Sequence, residues 1–192
     1  MSSKPKHKYS LQQYFALEKK SQIKHEYFNG EIFAMTGASF NHNQVIVNIS
    51  SELHQQLKHK SCRPLVNDMR VKVSTTGLYT YPDVVVFCGK PELEKIDGLE
   101  TLLNPVLIVE VLSPTTANYD KGVKFDFYRA IESFQLYLLV DQTIPHVILY
   151  VKQSDGKWLM SETKDLESKI ELPFINCELG LKDIYQGLNE PI

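Results

Sequence analysis

Apolar residues recur along this chain with two periods, and the changes of period mark its elements. From His42 to His59 the residues Val45, Ile49, Leu53 and Leu57 return every fourth position, which makes one apolar helical stripe with Asn41 as the expected N-cap. A short helix is read over Leu11 to Lys19. In "EYFNGEIF" the Asn29-Gly30 pair separates two β-prone arms, so His25 to Met35 reads as a hairpin with a two-residue loop. "PLVNDMRVKVS" and "YPDVVVFC" read as two strands joined around Thr76-Gly77, and Pro82 starts the second because it has no N–H to give inside a sheet. Residues 89–104, with Gly89, Pro91 and Gly98, read as a surface loop. Val106 to Leu112 is apolar on both parities, as expected of a central strand covered on both faces. Ser113-Pro114 ends it, and a helix follows from Asn118 to Ile131. "FQLYLLVD", "HVILYVK" and "KWLMSET" read as three more strands, and residues 179–185 as a short helix. No repeat, low-complexity tract or linker interrupts this order. A single domain over residues 1–192, of α/β (α+β) class, is expected.

Two polar residues break the apolar pattern. Glu110 stands in the middle of the most apolar strand, and Asp83 opens another that is a natural neighbour in the sheet. Removing a carboxylate from water costs several kcal/mol even after relaxation, and two close carboxylates do not both ionise without a cation. The compensators are a basic side chain, a shared proton, or a metal ion such as Mg²⁺ or Mn²⁺, which prefer oxygen ligands. A buried ion pair of Glu110 with Lys124 or Arg70 is the plain structural alternative. A protease or glycosidase pair needs a cleft or paired-loop context that this chain does not offer. On the following helix Asp120, Lys124 and Tyr128 share one face beside the apolar face of Val123, Phe127 and Ile131. Lys124 therefore stands at the border of the buried side, where its stem can pack and its ammonium can reach a polar pocket.

Composition excludes more than it assigns. The 192 residues are 43% hydrophobic and 23% charged, with a net charge of −2, so a general attraction to nucleic acid is not expected. Local basic surface exists. The N-terminal segment 1–23, which includes the short helix, is basic through Lys4, Lys6, Lys8, Lys19 and Lys20, and residues 58–72 hold Lys58, Lys60, Arg63, Arg70 and Lys72. Cys62, Cys88 and Cys177 are widely spaced with no CxxC pair, which argues against a disulfide framework or structural zinc and for a reducing compartment. No apolar run reaches the roughly 18 residues of a spanning helix, and no signal core follows the start. A cytoplasmic protein without membrane contact is expected.

The ordered series "HEYFNGEIFAM", "NHNQVIVNISSEL", "YPDVVV", "NPVLIVEVLSPTT", "YDKGVKFDFYRA", "QLYLLVD" and "LKDIY" resembles the restriction-endonuclease family called Uma-two, of the PD-(D/E)XK nuclease superfamily. It covers nearly all of residues 24–186. The resemblance implies a restriction-endonuclease-like core: a mixed central sheet flanked by helices, with extra N- and C-terminal β-hairpins. It implies a metal-dependent endonuclease acting on DNA, possessing Mg²⁺ or Mn²⁺ held by Asp83, Glu110 and the backbone carbonyl of Val111. The superfamily's usual lysine position is Leu112 here, so the resemblance passes that role to Lys124 on the helix, with Lys121 as the fallback. Glu31 and His42 fall at motif-like positions, Asp120 is placed to hold Lys124, and Glu52 is a further acid on the first long helix. By analogy with nucleases that cut both strands, a homodimer is expected. Two other classes stay open: a nucleic-acid-binding or regulatory module of the same fold without turnover, and an interaction protein with a core ion-pair network.

Overall fold

The structure, a computed structural model, describes residues 7–35 and 37–189. The Leu11–Glu18 helix (α1) is closed by a capping box between Ser10 and Gln13. The hairpin β1 (His25–Phe28) and β2 (Glu31–Ala34) turns through Asn29 and Gly30, both at positive φ. The long helix α2 runs Phe40–Leu57 and buries Val45, Ile49, Leu53 and Leu57 as its stripe requires. Its N-cap is Ser39, two residues before the expected Asn41, because the Ser39 hydroxyl accepts the His42 amide at 3.1 Å.

The two strands expected over residues 64–88 are four. β3 (Cys62–Val66) bends at Asn67 into β4 (Arg70–Val73), and β5 (Leu78–Thr80) bends at Tyr81-Pro82-Asp83 into β6 (Val84–Cys88). The bends lie side by side, with the Asn67 N–H donating to the Asp83 carbonyl at 3.0 Å. Each half belongs to a different sheet. Residues 89–104 are not a plain loop: β7 (Leu93–Ile96) and β8 (Leu99–Leu102) form a hairpin. Asp97 and Gly98 both take positive φ there, the turn chemistry a two-residue hairpin demands.

β9 (Pro105–Leu112) is the buried central strand. The helix after it spans 117–128, three residues short of the expected end, and contains a π-helical turn at Asp120–Lys124. β10 (Leu136–Asp141), β11 (Val147–Lys152) and β12 (Trp158–Thr163) complete one six-stranded mixed sheet, in the order β12-β11-β10-β9-β6-β3. Only β9 and β10 run parallel in it. The second six-stranded sheet has the order β2-β1-β5-β4-β8-β7. A small hairpin, β13 (Lys169–Leu172) with β14 (Cys177–Gly180), and a short Leu181–Ile184 helix lie toward the C-terminus.

Side-chain parity decides what each face meets. Odd positions of β9 (Leu107, Val109, Val111) join Val84 and Val86 under α2. Even positions (Ile108, Leu112) join Val85, Phe87, Tyr137 and Tyr128 on the opposite face, where Val71, Val73, Leu78 and Leu102 of the second sheet close over them. The second sheet's outer face packs on α1 through Tyr14, Phe15, Tyr27 and Tyr79. The mixed central sheet, its helices and the hairpins toward both ends match the core that the resemblance implies; the second six-stranded sheet over its other face is an addition to that core.

The cysteine expectation is corrected. Cys62 and Cys88 face each other in the β3–β6 register and are bridged, with Cα atoms 3.9 Å apart. Their 26-residue separation in sequence disappears because the chain returns antiparallel. Cysteine usage therefore gives no argument for a reducing compartment. Cys177 is a buried free thiol. Among the described residues no helix is long and apolar enough to cross a membrane.

Candidate active site

The β6–β9 register pairs Val84 with Val109 and brings Asp83, the residue before β6, to the Glu110-Val111 end of β9, where its carboxylate accepts the Val111 N–H. Glu110 shares its face with Ile108 and Leu112, toward the 117–128 helix. The two acids open on a cleft of about 740 Å³, whose wall also includes Glu26, His42, Val111, Asp120 and Lys124. Asp83, Glu110, Val111, Asp120, Lys124 and His42 are thus brought together from four elements.

Lys124 is the hub. Its ammonium lies 2.9 Å from Glu110 Oε1, 3.3 Å from Glu26 Oε1 and 3.4 Å from Asp120 Oδ1, with the residue only 6% exposed. The Tyr128 hydroxyl donates to the same Glu110 Oε1 at 2.8 Å. Burial, opposed by Lys124 and reinforced by Asp120 and Asp83, pushes the Glu110 carboxyl up to about 8. Asp120 is raised as well, again by burial against the pull of Lys124. Burial alone would lower Lys124, yet the charges of Glu110, Glu26 and Asp120 outweigh it and hold the amine well above its usual value. Three carboxylates face one ammonium, so the consistent state near neutral pH is a protonated lysine and a proton retained among the acids.

Asp83 is held from two sides. Its Oδ1 lies 3.1 Å from His42 Nε2, in the first turn of α2, and its Oδ2 accepts the Val111 backbone N–H at 2.7 Å. Ser39, one turn before, hydrogen-bonds the buried Gln142 side chain and so ties the start of α2 to the end of β10.

Other candidates stand elsewhere. Arg70 is not a partner of Glu110. It is 2% exposed on the α1 side of the second sheet, among Tyr14, Phe15, Tyr79 and Tyr81, and donates to Thr101 at 2.9 Å. Glu31 sits beside the Asn-Gly turn across from Phe28, outside the cleft lining. Glu52 and the exposed Lys121 are also outside it. The basic segment 58–72 does not form one face. Lys60 is on the carbonyls of Ile175 and Asn176, Arg63 is on those of Leu57 and Cys62, and Lys72 pairs with Glu94. Lys4 and Lys6 of the basic N-terminal segment lie outside the described residues.

Sequence reading missed Glu26. On β1, His25 and Tyr27 face α1 while Glu26 and Phe28 face the 117–128 helix, where the Phe28 ring meets Phe127 at 4.6 Å. The signal was parity: Glu26 alternates in phase with Phe28, an apolar residue that needs cover.

Whether these residues suit a divalent cation is a question of donor chemistry. Among the described residues no group of three or more His, Cys, Asp and Glu side chains is arranged to hold a metal ion. Two carboxylates lining one cleft, Asp83 and Glu110, are a donor set of the kind Mg²⁺ or Mn²⁺ takes, since Mg²⁺ keeps several waters and binds through one or two carboxylates.

Comparison with known proteins places this architecture. A solved structure described as "a putative nuclease belonging to DUF820", from Anabaena variabilis, superposes with a TM-score of 0.74 at 17% identity, covering 92% of this chain and 97% of that one. The fold is therefore nuclease-like. The Uma2 family model, described as "Putative restriction endonuclease", matches residues 11–182, and the chain belongs to that family. Two relatives come from Synechocystis. The uncharacterized protein slr1290 is 36% identical over 186 residues, covering 97% of this chain and 96% of its own. The uncharacterized protein sll1609 is 37% identical over 163 residues, covering 85% and 92% respectively.

Proposed function

We propose that this protein is a divalent-metal-dependent endonuclease that hydrolyses phosphodiester bonds of DNA in the cleft between its two sheets. The observation that carries the reading is the convergence of Asp83, Glu110 and Lys124, from β6's entry bend, β9 and the 117–128 helix, on one open cleft. Asp83 and Glu110, with the Val111 carbonyl, hold Mg²⁺ or Mn²⁺. When bound, such an ion stabilises charge on a phosphate oxygen and makes a coordinated water more acidic.

The chain's own groups do the rest. His42 and the Val111 amide fix the direction of the Asp83 carboxylate. Lys124, held protonated by its carboxylate neighbours, is suited to neutralising negative charge that develops on the phosphate and is poorly suited to removing a proton. Asp120 steadies it from the preceding helical turn. The described cleft wall has five acids (Glu26, Asp68, Asp83, Glu110, Asp120) against Lys24 and Lys124, so a phosphate backbone entering it needs added cations. That excess supports cation dependence.

One observation favours a second reading, a nucleic-acid-binding module without turnover: Glu110 already has Lys124 and Tyr128 on one oxygen. Incubation with supercoiled plasmid in EDTA, Mg²⁺ or Mn²⁺ separates the two. Cleavage by wild type in either cation, lost in Asp83→Asn and Glu110→Gln prepared alike, is the expected result. Retained cleavage in both variants refutes the site. Binding with no cleavage in any cation favours the second reading.

A further inference from the structure

We propose that Glu26 is a positioning residue for Lys124, and that Thr80 holds Glu26 in place. The second sheet then sets where the lysine's ammonium stands in the cleft. The inference rests on the role proposed above for Lys124.

A lysine stem is flexible, with an ammonium offering three donors, so a single carboxylate does not fix its direction. Three carboxylates surround this one within 3.4 Å. Glu110 and Asp120 belong to the same strand-to-helix segment as the lysine. Glu26 alone arrives from the other sheet, and it arrives constrained. Its Oε1, the oxygen facing Lys124, also accepts the hydroxyl of Thr80, a residue with no exposed surface. Parity explains the meeting: Glu26 on β1 and Thr80 on β5 both face the central sheet, whereas Tyr27 and Tyr79, paired across those strands, face α1. The Phe28–Phe127 ring contact seats β1 on the same helix one turn beyond Lys124.

Thr80 stands three residues before Asp83, across the bend that carries the chain from one sheet to the other. One short segment therefore places the Asp83 carboxylate directly and the Lys124 ammonium through Glu26. A shift of that bend moves both groups together, so their spacing is set by local chain geometry.

The test uses the full chain with plasmid DNA and Mn²⁺, comparing wild type, Glu26→Gln, Glu26→Asp, Thr80→Val, Lys124→Met and the Glu26→Gln/Lys124→Met double variant. Glu26→Gln should lower kcat roughly 10- to 100-fold with KM within about twofold, the scale of a misplaced catalytic group. Glu26→Asp should recover part of the loss, and Thr80→Val should reproduce part of it. The double variant should be no slower than Lys124→Met, because groups that act as a unit are not additive. The ¹⁵Nζ–H signal of the Lys124 ammonium gives a readout independent of turnover: slow exchange in wild type, lost in Glu26→Gln. Wild-type activity in Glu26→Gln, an additive double variant, or a retained ammonium signal overturns the positioning role. If Lys124→Met cleaves normally, it is the proposed role of the lysine that fails. If wild type cleaves nothing, the nuclease reading fails, and the ammonium signal still decides whether Glu26 holds Lys124.

Discussion

Glu110→Gln should change stability by an amount that depends on pH in a definite direction. In metal-free protein burial raises the Glu110 carboxyl from 4.5 to about 8. The folded state then binds this proton more tightly than the unfolded chain. The contribution to stability is full below about 4.5 and is lost as pH rises through about 8. Glutamine keeps the shape and cannot ionise, so the difference between variant and wild type isolates this group while other titrations cancel. At about 1.36 kcal/mol per unit, a rise from 4.5 to about 8 is worth about 5 kcal/mol as an upper figure. Water entering from the cleft and relaxation of Lys124 toward Glu26 and Asp120 reduce it, and the window from about pH 5 to 8.5 captures only part of it, so a relative gain of about 1–3 kcal/mol for the variant is expected. Lys124 is not stranded by the change, because two of its three carboxylates remain. Urea unfolding in EDTA, followed by the fluorescence of the single tryptophan, Trp158, which packs on Phe125 and Phe134, gives both stabilities. A gap that stays constant across this range, or one that moves in favour of wild type, would falsify the account. Glu110 would then be ionised throughout, with its charge fully met by Lys124.

Calorimetric titration with Mn²⁺ should reveal a site in wild type that Asp83→Asn and Glu110→Gln each abolish; equal binding in all three proteins would remove both residues from the metal site. Lys124→Ala should cut cleavage by roughly a hundredfold or more while keeping metal binding, whereas Lys121→Ala, altering an exposed side chain outside the cleft, should stay within a few-fold of wild type. The reverse ranking would move the role to Lys121. Reduction of the Cys62–Cys88 bridge, or the double change to Ser, should lower stability by about 2–4 kcal/mol, since it frees a 26-residue separation in the unfolded chain. Identical melting with and without dithiothreitol would show that the bridge is not formed in solution.

The stripe of α2 and the Asn29-Gly30 hairpin were legible because each needs only local information: a four-residue repeat and a dipeptide that tolerates positive φ. Asp97-Gly98 has the same chemistry. The surrounding Gly and Pro residues give it the pattern of a loop and mask two four-residue strands. The sheet switch was not legible at all. Asn67-Asp68 and Pro82-Asp83 mark where each run breaks, but nothing in the apolar alternation on either side tells which sheet each half joins. The cysteine pair was hidden for a related reason, since register is a tertiary property. At the site, the two acids stood out because a carboxylate amid Val and Ile is costly. Their cation did not, because Arg70 and Lys124 are equally reachable on paper. Only parity in the second sheet, which points Arg70 at Phe15 and its neighbours, separates them.

Position 112 of β9 has no room for a charged side chain. Leu112, the position at which the resemblance would place a lysine, shares its face with Ile108 and lies in the apolar cluster of Tyr128, Phe134 and Tyr137. A strand lysine there would have to carry its charge through that cluster, and the strand gives it no turn in which to do so. From the helix the same charge arrives at the cleft wall, with Asp120 four residues before it and Glu26 opposite. The π-helical turn at 120–124 has the acid and the lysine at its two ends, and such turns often mark functional sites. A lysine on the helix leaves β9 an apolar side chain at 112 and Glu110 as its one acid, whose Oε1 lies 2.9 Å from the Lys124 ammonium. The Lys124 and Tyr128 contacts on its Oε1, together with the proton that burial favours there, hold this acid within an apolar strand.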